Sequence, residues 1–93
     1  AAVLPEMGLC ADLAHLLAEG LDPAAWMEAW KGRVREIHLN GLEGGRAHRP
    51  LRGDEAWLGP LLPFLRDGDL RVELEVFSLA GVESSYQALK ELP

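Results

Sequence analysis

An aspartate, a glutamate and all three histidines of the chain are the residues best suited to chemistry: Asp12, His15, His38, His48 and Glu75. Carboxylate and imidazole side chains together suit divalent transition metals. We therefore predict that these five residues ligate a divalent cation, Zn²⁺, Mn²⁺ or Co²⁺. Two of them, His38 and Glu75, are also predicted to act in catalysis.

Each of these residues has a structural alternative. Asp12 can cap the helical turn after it, His15 can be an ordinary surface or core imidazole, and His48 can belong to a solvated loop. Glu75 lies in an apolar strand, where burial of an unpaired carboxylate costs free energy. Glu73 shares the strand parity of Glu75 and is expected to pair with an arginine below the site. Glu36 shares the parity of His38, so it could likewise belong to the site or be paired with an arginine below it.

Glycines and prolines divide the chain into elements that could position these residues. Strands are predicted over residues 8–12, 34–40 and 70–77 by their apolar content and alternation. A helical turn is expected over 14–19 and a helix from Asp22-Pro23 to Gly32. A long loop, 41–53, comes after the second strand. A third helix ends at Asp67 and begins at or after Pro60, and the last one is opened by Ser78 or Gly81.

The alternation of strands and helices predicts an α/β fold of three consecutive β/α units with parallel strands. In such folds the loops after the strands converge at the carboxyl ends, where function gathers. Asp12, His38 and Glu75 each lie at or near a predicted strand end. They are therefore the core of the predicted site.

Three packing expectations accompany this fold. Trp26 and Trp30 are four residues apart and are expected to pack on the sheet from one helix face. Cys10 lies in an apolar run and is expected to be a small buried hydrophobe. The last helix is expected to bury a stripe that consists of Val82, Tyr86, Leu89 and Leu92.

Composition excludes several classes of function. The 93 residues suffice for one domain, and the net charge is −6 with the nine Lys and Arg scattered, so neither a nucleic acid nor an anionic membrane is an expected partner. The single cysteine rules out an intramolecular disulfide and favours a reducing compartment. No apolar stretch approaches the roughly 20 residues of a spanning helix, and the first residues lack the basic start of a signal peptide. A cytoplasmic location is therefore expected.

Four segments of the chain resemble the xylose-isomerase-like barrel superfamily, which includes sugar isomerases and epimerases and the endonuclease IV class of repair enzymes. They are GLCADLAH at 8–15, IHLN at 37–40, HRPL at 48–51 and LEVF at 74–77. The resemblance implies that residues 1–93 are the C-terminal three β/α units of a (β/α)8 TIM barrel. It also implies that Asp12, His15, His38, His48 and Glu75 bind metal or contact the substrate.

Within the superfamily, three further motifs are similar to those of cobamide-remodelling phosphodiesterases: IHLNG at 37–41, GGRAH at 44–48, and LEVFS at 74–78 together with ESS at 83–85. This similarity implies hydrolysis of a cobamide-type phosphodiester, a small-molecule substrate. Arg46, Arg49 and Arg52 would then grip the phosphate bidentately.

The chain departs from two family patterns, and two alternative functions remain. Arg46 replaces an aspartate of the repair enzymes, which argues against a full three-metal cluster, and Arg52 lies where sugar isomerases have glycines, which weakens the similarity to them. A sugar (phosphate) isomerase or epimerase would use Glu75 as one of two proton-shuttling carboxylates. A non-catalytic binding module would keep the constellation without its chemistry.

The small number of strands also has consequences. Three parallel strands cannot close a barrel, so one sheet face and both edges would lack cover. The resemblance also implies a further metal-binding glutamate on an earlier strand. The chain alone is therefore expected to be inactive or very slow, and either to self-associate or to need the missing part.

Overall fold

A computed structural model describes residues 8–93; residues 1–7, which the domain and signal-peptide predictions include, lie outside this range. In chain order the elements are β1 Leu9–Asp12, α1 Leu13–Ala18, α2 Pro23–Trp30, β2 Val34–Leu39, β3 Gly41–Glu43, β4 Arg46–Arg49, α3 Leu58–Leu65, β5 Arg71–Leu74 and α4 Leu79–Lys90.

The central sheet is parallel, with the strand order β1-β2-β5. Its register aligns Asp12 with His38, and His38 with Glu73. Buried residues of β2, Ile37 and Leu39, join the apolar core that the helices cover. The predicted α/β class with parallel strands is thus confirmed. That the three strands belong to a larger barrel stays a prediction.

Side-chain caps fix the starts of three helices. Oδ1 of Asp12 accepts a hydrogen bond from the His15 amide, 3.1 Å away, at the start of α1. Asp22 accepts one from the Ala24 amide at 3.2 Å, with proline in the first turn of α2. Ser78 accepts one from the Gly81 amide at 3.0 Å and opens α4. These contacts satisfy backbone N–H groups that lack partners within their helices.

The predicted loop over 41–53 is wrong for residues 41–49, which form the antiparallel β3–β4 hairpin. Gly44 and Gly45 form its two-residue turn with φ values of 58° and 77°. Tight hairpin turns whose two central residues both have positive φ match the twist of the flanking strands, and glycine adopts that conformation without strain. The hairpin carries three of the predicted site residues, Arg46, His48 and Arg49.

The predicted start of the third helix is also wrong. The helix α3 begins at Leu58, so Pro60 is its third residue rather than its first. Proline is tolerated there because the N–H groups of the first helical turn have no partner within the helix. None of the helices in residues 8–93 is long and apolar enough to cross a lipid bilayer.

Three packing expectations need correction, two of them only in part. Trp26 packs against the core as expected, but Trp30 is 44% exposed, and the fully buried residues of α2 are Pro23 and Met27. Cys10 is exposed rather than buried. Tyr86 is 59% exposed, while Ser85 is fully buried and its hydroxyl accepts a hydrogen bond from the Leu51 amide at 2.9 Å. The expected stripe is thus wrong for Tyr86, whereas Leu89 and Leu92 pack against the core as expected. The buried residues of α4 are Gly81 and Ser85.

Candidate metal centre

One face of the parallel sheet is lined by polar side chains that alternate along the strands and contact one another. They are Cys10, Asp12, Glu36, His38, Arg71, Glu73 and Glu75. Successive residues of a strand point to opposite faces, so the intervening apolar residues face the core. Four carboxylates thus lie close together on a single surface.

Three of the predicted ligands meet at the carboxyl end of this face. Asp12, His38 and Glu75 each offer one ligand atom, and the three atoms lie within 4.8 Å of one another. Nδ1 of His38 and Oε2 of Glu75 are 2.8 Å apart. These residues come from the ends of three adjacent strands. The backbone keeps Glu75 in place, since its amide donates to the Leu39 carbonyl at 3.0 Å.

The inner oxygen of Glu75 has no hydrogen-bond donor. Oε2 is buried and accepts no hydrogen bond from any residue in the range 8–93. Its short contact with His38 Nδ1 is close in distance but lacks the geometry of a hydrogen bond. A buried carboxylate oxygen without a donor is costly, and a bound cation removes this cost. Two carboxylates and one imidazole are a donor set that fits a divalent transition metal.

The other ring nitrogen of His38 faces a second carboxylate. Nε2 is hydrogen-bonded to Oε2 of Glu36 at 2.9 Å and lies 3.7 Å from Glu73. The Glu36 hydrogen bond is the main reason that the pKa of His38 is raised. Desolvation opposes the shift, and the charges of Glu75, Glu36 and Glu73 add to it. A carboxylate therefore lies beside each ring nitrogen of His38, Glu36 at Nε2 and Glu75 at Nδ1.

Arg71 pairs with Glu36 and Glu73, the two glutamates farther from the carboxyl end of the sheet. Nε of Arg71 lies 2.9 Å from Oε1 of Glu73 and 3.5 Å from Oε1 of Glu36. The predicted structural pairing of Glu73 with an arginine is confirmed. Arg71 also contacts Glu36, and Glu36 contacts His38 as well. Glu36 therefore belongs both to the structural pairing and to the surroundings of the candidate site.

His48 reaches the edge of the site from the hairpin. Its Nδ1 lies 3.8 Å from Oε1 of Glu75 and 3.1 Å from the Glu75 carbonyl oxygen. Its ring stacks on Phe77, with centroids 4.2 Å apart. His48 has a φ of 63°, which is strained for a residue with a side chain and occurs preferentially at functional sites. It lies beside the three ligand atoms rather than among them.

Asn40 links His48 to the sheet and was not predicted as a site residue. It is fully buried, and its Oδ1 accepts a hydrogen bond from the Ala14 amide at 3.1 Å. Its Nδ2 therefore faces Nδ1 of His48, 3.0 Å away. The signal in the sequence was a polar residue directly after a buried strand. Buried polar side chains are usually hydrogen-bonded. The hydrogen bonds of Asn40 connect α1 and His48 to the sheet.

The structure does not bring His15 to the other predicted ligands. Its imidazole is 74% exposed, and Nε2 lies 3.8 Å from Glu19 on the same helix. Only its backbone amide contacts Asp12. Asp12 thus has both roles considered for it, because the carboxylate that caps α1 also belongs to the candidate metal site.

The three predicted phosphate-binding arginines differ in their surroundings. Arg49 lines an open pocket together with His48 and Phe77. Arg46 is exposed at the start of β4, and no acidic residue of the described range pairs with Arg46 or Arg49. Arg52, by contrast, already pairs with Asp54 at 3.2 Å.

A second group of potential ligands lies lower on the polar face. Ligand atoms of Cys10, Glu36 and His38 also lie within 4.8 Å of one another. The pKa of the Cys10 thiol is raised, first by desolvation and then by the negative charge of Glu36. Since the thiolate is the form that ligates metals, this environment disfavours Cys10 as a ligand.

No family model matches the chain, and comparisons with curated proteins and with solved structures give no significant match. A function for the chain is therefore argued from the geometry of the site.

Proposed function

We propose that the chain supplies Asp12, His38 and Glu75 as ligands of a divalent cation, Zn²⁺, Mn²⁺ or Co²⁺, in a metal-dependent phosphodiesterase. The observation that carries the proposal is the meeting of these three donors at the carboxyl ends of three parallel strands. The unpartnered oxygen of Glu75 supports it, because a cation would give that buried atom a partner.

The chemistry assigns different tasks to the residues. A bound divalent cation would lower the pKa of a water molecule and neutralise charge on the phosphate. Asp12 and Glu75 supply negative charge to hold the cation, and His38 supplies a neutral nitrogen. Glu75, whose Oε2 lies 2.8 Å from His38, can also accept a proton released during hydrolysis through its second oxygen, whereas His38 would act by holding the cation that activates the water. These are the catalytic roles that we propose for them.

Two arginines on the hairpin suit the phosphodiester. Arg46 and Arg49 have guanidinium groups that pair with no acidic residue of the described range, and Arg49 shares its pocket with His48. A guanidinium group binds a phosphate through two parallel hydrogen bonds. The substrate class that fits the resemblance is a cobamide-type phosphodiester. Arg52 is the weakest of the three candidates because Asp54 already occupies it.

We further propose that the three β/α units are the C-terminal part of a (β/α)8 barrel. Support comes from the parallel strand order and from the position of the donors, since barrel enzymes keep their sites at the carboxyl ends of the strands. The polar sheet face would then line the barrel interior. In this view the cation receives further ligands from the preceding strands. A cytoplasmic location is part of the same proposal.

The proposal is tested on the complete protein, freed of metal and reloaded with Mn²⁺, Co²⁺ or Zn²⁺. We expect cleavage of bis(p-nitrophenyl) phosphate and of a cobamide that contains its nucleotide loop. Proton exchange from solvent into keto-sugars, without phosphodiester cleavage, would instead support an isomerase or epimerase. Metal binding that depends on His38 without either activity would support a binding module.

A further inference from the structure

We propose that Glu36 is a positioning residue that holds the proton of His38 on Nε2, so that the lone pair of Nδ1 faces the cation. This inference rests on the cation site proposed above and assigns a role to a residue outside the three ligands. It concerns the tautomer of one imidazole, which decides which of its nitrogens can bind a metal.

The two edges of the His38 ring differ in their contacts. Nε2 and Oε2 of Glu36 are 2.9 Å apart with the geometry of a hydrogen bond. Nδ1 and Oε2 of Glu75 are 2.8 Å apart without that geometry, and this oxygen accepts no hydrogen bond from residues 8–93. A neutral imidazole carries a single N–H group. Because Glu36 can accept only from an N–H group, its contact places the proton on Nε2 and leaves Nδ1 free.

Neighbouring strands hold Glu36 in this position. The sheet register aligns it with Cys10 on one side and with Arg71 on the other. Arg71 contacts Oε1 of Glu36 at 3.5 Å, and the thiol of Cys10 donates to Oε2 at 3.7 Å. The carboxylate is thus oriented by contacts on both sides. Carboxylates that orient a metal-binding histidine in this way typically change metal affinity about 10–100-fold when removed.

Glu73 provides a matched control on the same face. It carries the same charge and contacts the same arginine, at 2.9 Å. Its nearest oxygen lies 3.7 Å from Nε2 of His38, too far for a hydrogen bond. Removal of Glu73 therefore changes the local charge without removing the hydrogen bond that we consider decisive.

The experiment combines calorimetric titration with Zn²⁺ and nitrogen-15 NMR of the histidine rings. For Glu36→Ala we expect roughly 10–100-fold weaker binding, whereas Glu73→Ala should change affinity only about threefold because exposed charges are screened. Glu36→Gln should restore most of the affinity, since its amide oxygen can accept from Nε2. In the metal-free wild type, at a pH at which the imidazole is neutral, His38 should carry its proton on Nε2.

Two results would overturn this inference. One is a metal-free wild-type spectrum with the His38 proton on Nδ1; the other is equal Zn²⁺ affinity of Glu36→Ala and wild type. Failure of the wild type to bind Zn²⁺ contradicts the proposed function instead, and the ring spectrum still decides the role of Glu36. Should Glu36→Ala fail to fold, the wild-type spectrum and Glu36→Gln provide the test.

Discussion

Oε2 of Glu75 lies 2.8 Å from Nδ1 of His38, yet it is buried and accepts no hydrogen bond from any residue between 8 and 93. The sheet register pairs His38 with Glu73 rather than with Glu75. Glu75 reaches the imidazole because it lies just beyond the carboxyl end of β5, two residues after Glu73. The contact brings two metal-binding groups together from different strands, and the charge of Glu75 helps to raise the pKa of His38.

The stability of the metal-free protein should depend on pH through His38. Its pKa is raised above the ordinary value of 6.5, chiefly by the Glu36 hydrogen bond. A raised folded-state pKa stabilises the fold fully below 6.5, and this contribution is lost as the pH rises through the raised pKa. We expect the free energy of unfolding to fall more over this window in the wild type than in His38→Gln.

Urea unfolding in the presence of a chelator, at a series of pH values, measures this difference. His38→Gln keeps a polar side chain but cannot titrate, so the other titrating groups of the protein cancel in the comparison. Parallel pH profiles of the two proteins would show that His38 does not contribute in the predicted direction.

Asn40→Ala should destabilise the fold and release His48. The substitution leaves the Ala14 amide without its acceptor in a buried position. An unsatisfied buried donor costs roughly 1–3 kcal/mol. We expect a loss of this size in chemical unfolding. The control is Ser84→Ala, because that exposed hydroxyl only donates to the Gly81 carbonyl of its own helix; comparable losses in the two variants would contradict the prediction.

Alanine should have opposite effects at two glycines. A β carbon at Gly41 would lie 2.8 Å from the Pro50 carbonyl oxygen and 2.9 Å from that of Arg49. These are backbone atoms, so we expect Gly41→Ala to cost about 1–3 kcal/mol and to disturb the hairpin that carries His48. At Gly59, within α3, nothing lies within 4 Å. There alanine should stabilise the helix by roughly 0.5–1 kcal/mol.

Thermal or urea unfolding of both glycine variants tests this pair of signs. A stable Gly41→Ala protein with an unchanged nitrogen-15 spectrum of His48 would show that the β3–β4 contact is not as close as the structure has it.

If the function is phosphodiester hydrolysis, the arginines should contribute unequally. Loss of a charged hydrogen bond to the substrate costs about 1.5–3 kcal/mol, which corresponds to roughly a 10–100-fold drop in kcat/KM for Arg49→Ala. Arg52→Ala should change it much less, because Asp54 already pairs with that guanidinium group. Steady-state kinetics of the complete protein with bis(p-nitrophenyl) phosphate measures both, and a larger loss in Arg52→Ala would reverse the assignment.

The sequence allowed the meeting of Asp12, His38 and Glu75 to be predicted because parallel strands share one carboxyl edge. Strand parity also placed Glu36 on the face of His38, but parity does not determine side-chain rotamers, so the hydrogen bond between them was not foreseen. Asn40 was missed because nothing in its spacing indicates that the Ala14 amide needs an acceptor. The need of this amide for an acceptor arises only in the folded structure, where α1 packs beside β2.

Other errors have similar physical origins. Trp26 and Trp30 share a helix face, but only Trp26 packs against the core, and the fully buried residues of α2 are Pro23 and Met27. Cys10 has apolar neighbours, yet strand parity places it with Asp12 on the polar face. The hairpin was missed because β3 and β4 are short and lack apolar alternation, although Gly44-Gly45 is a recognised turn signal.

Binding of a divalent cation by Asp12, His38 and Glu75 is tested most directly by calorimetric titration of the metal-free protein with Zn²⁺. The variants are Asp12→Asn, His38→Ala and Glu75→Gln, and the control is His15→Ala. We predict binding that strengthens with pH as His38 loses its proton, that is abolished in His38→Ala and that is retained in His15→Ala. Absence of binding, or equal affinity of His38→Ala and the wild type, would contradict the proposed cation site.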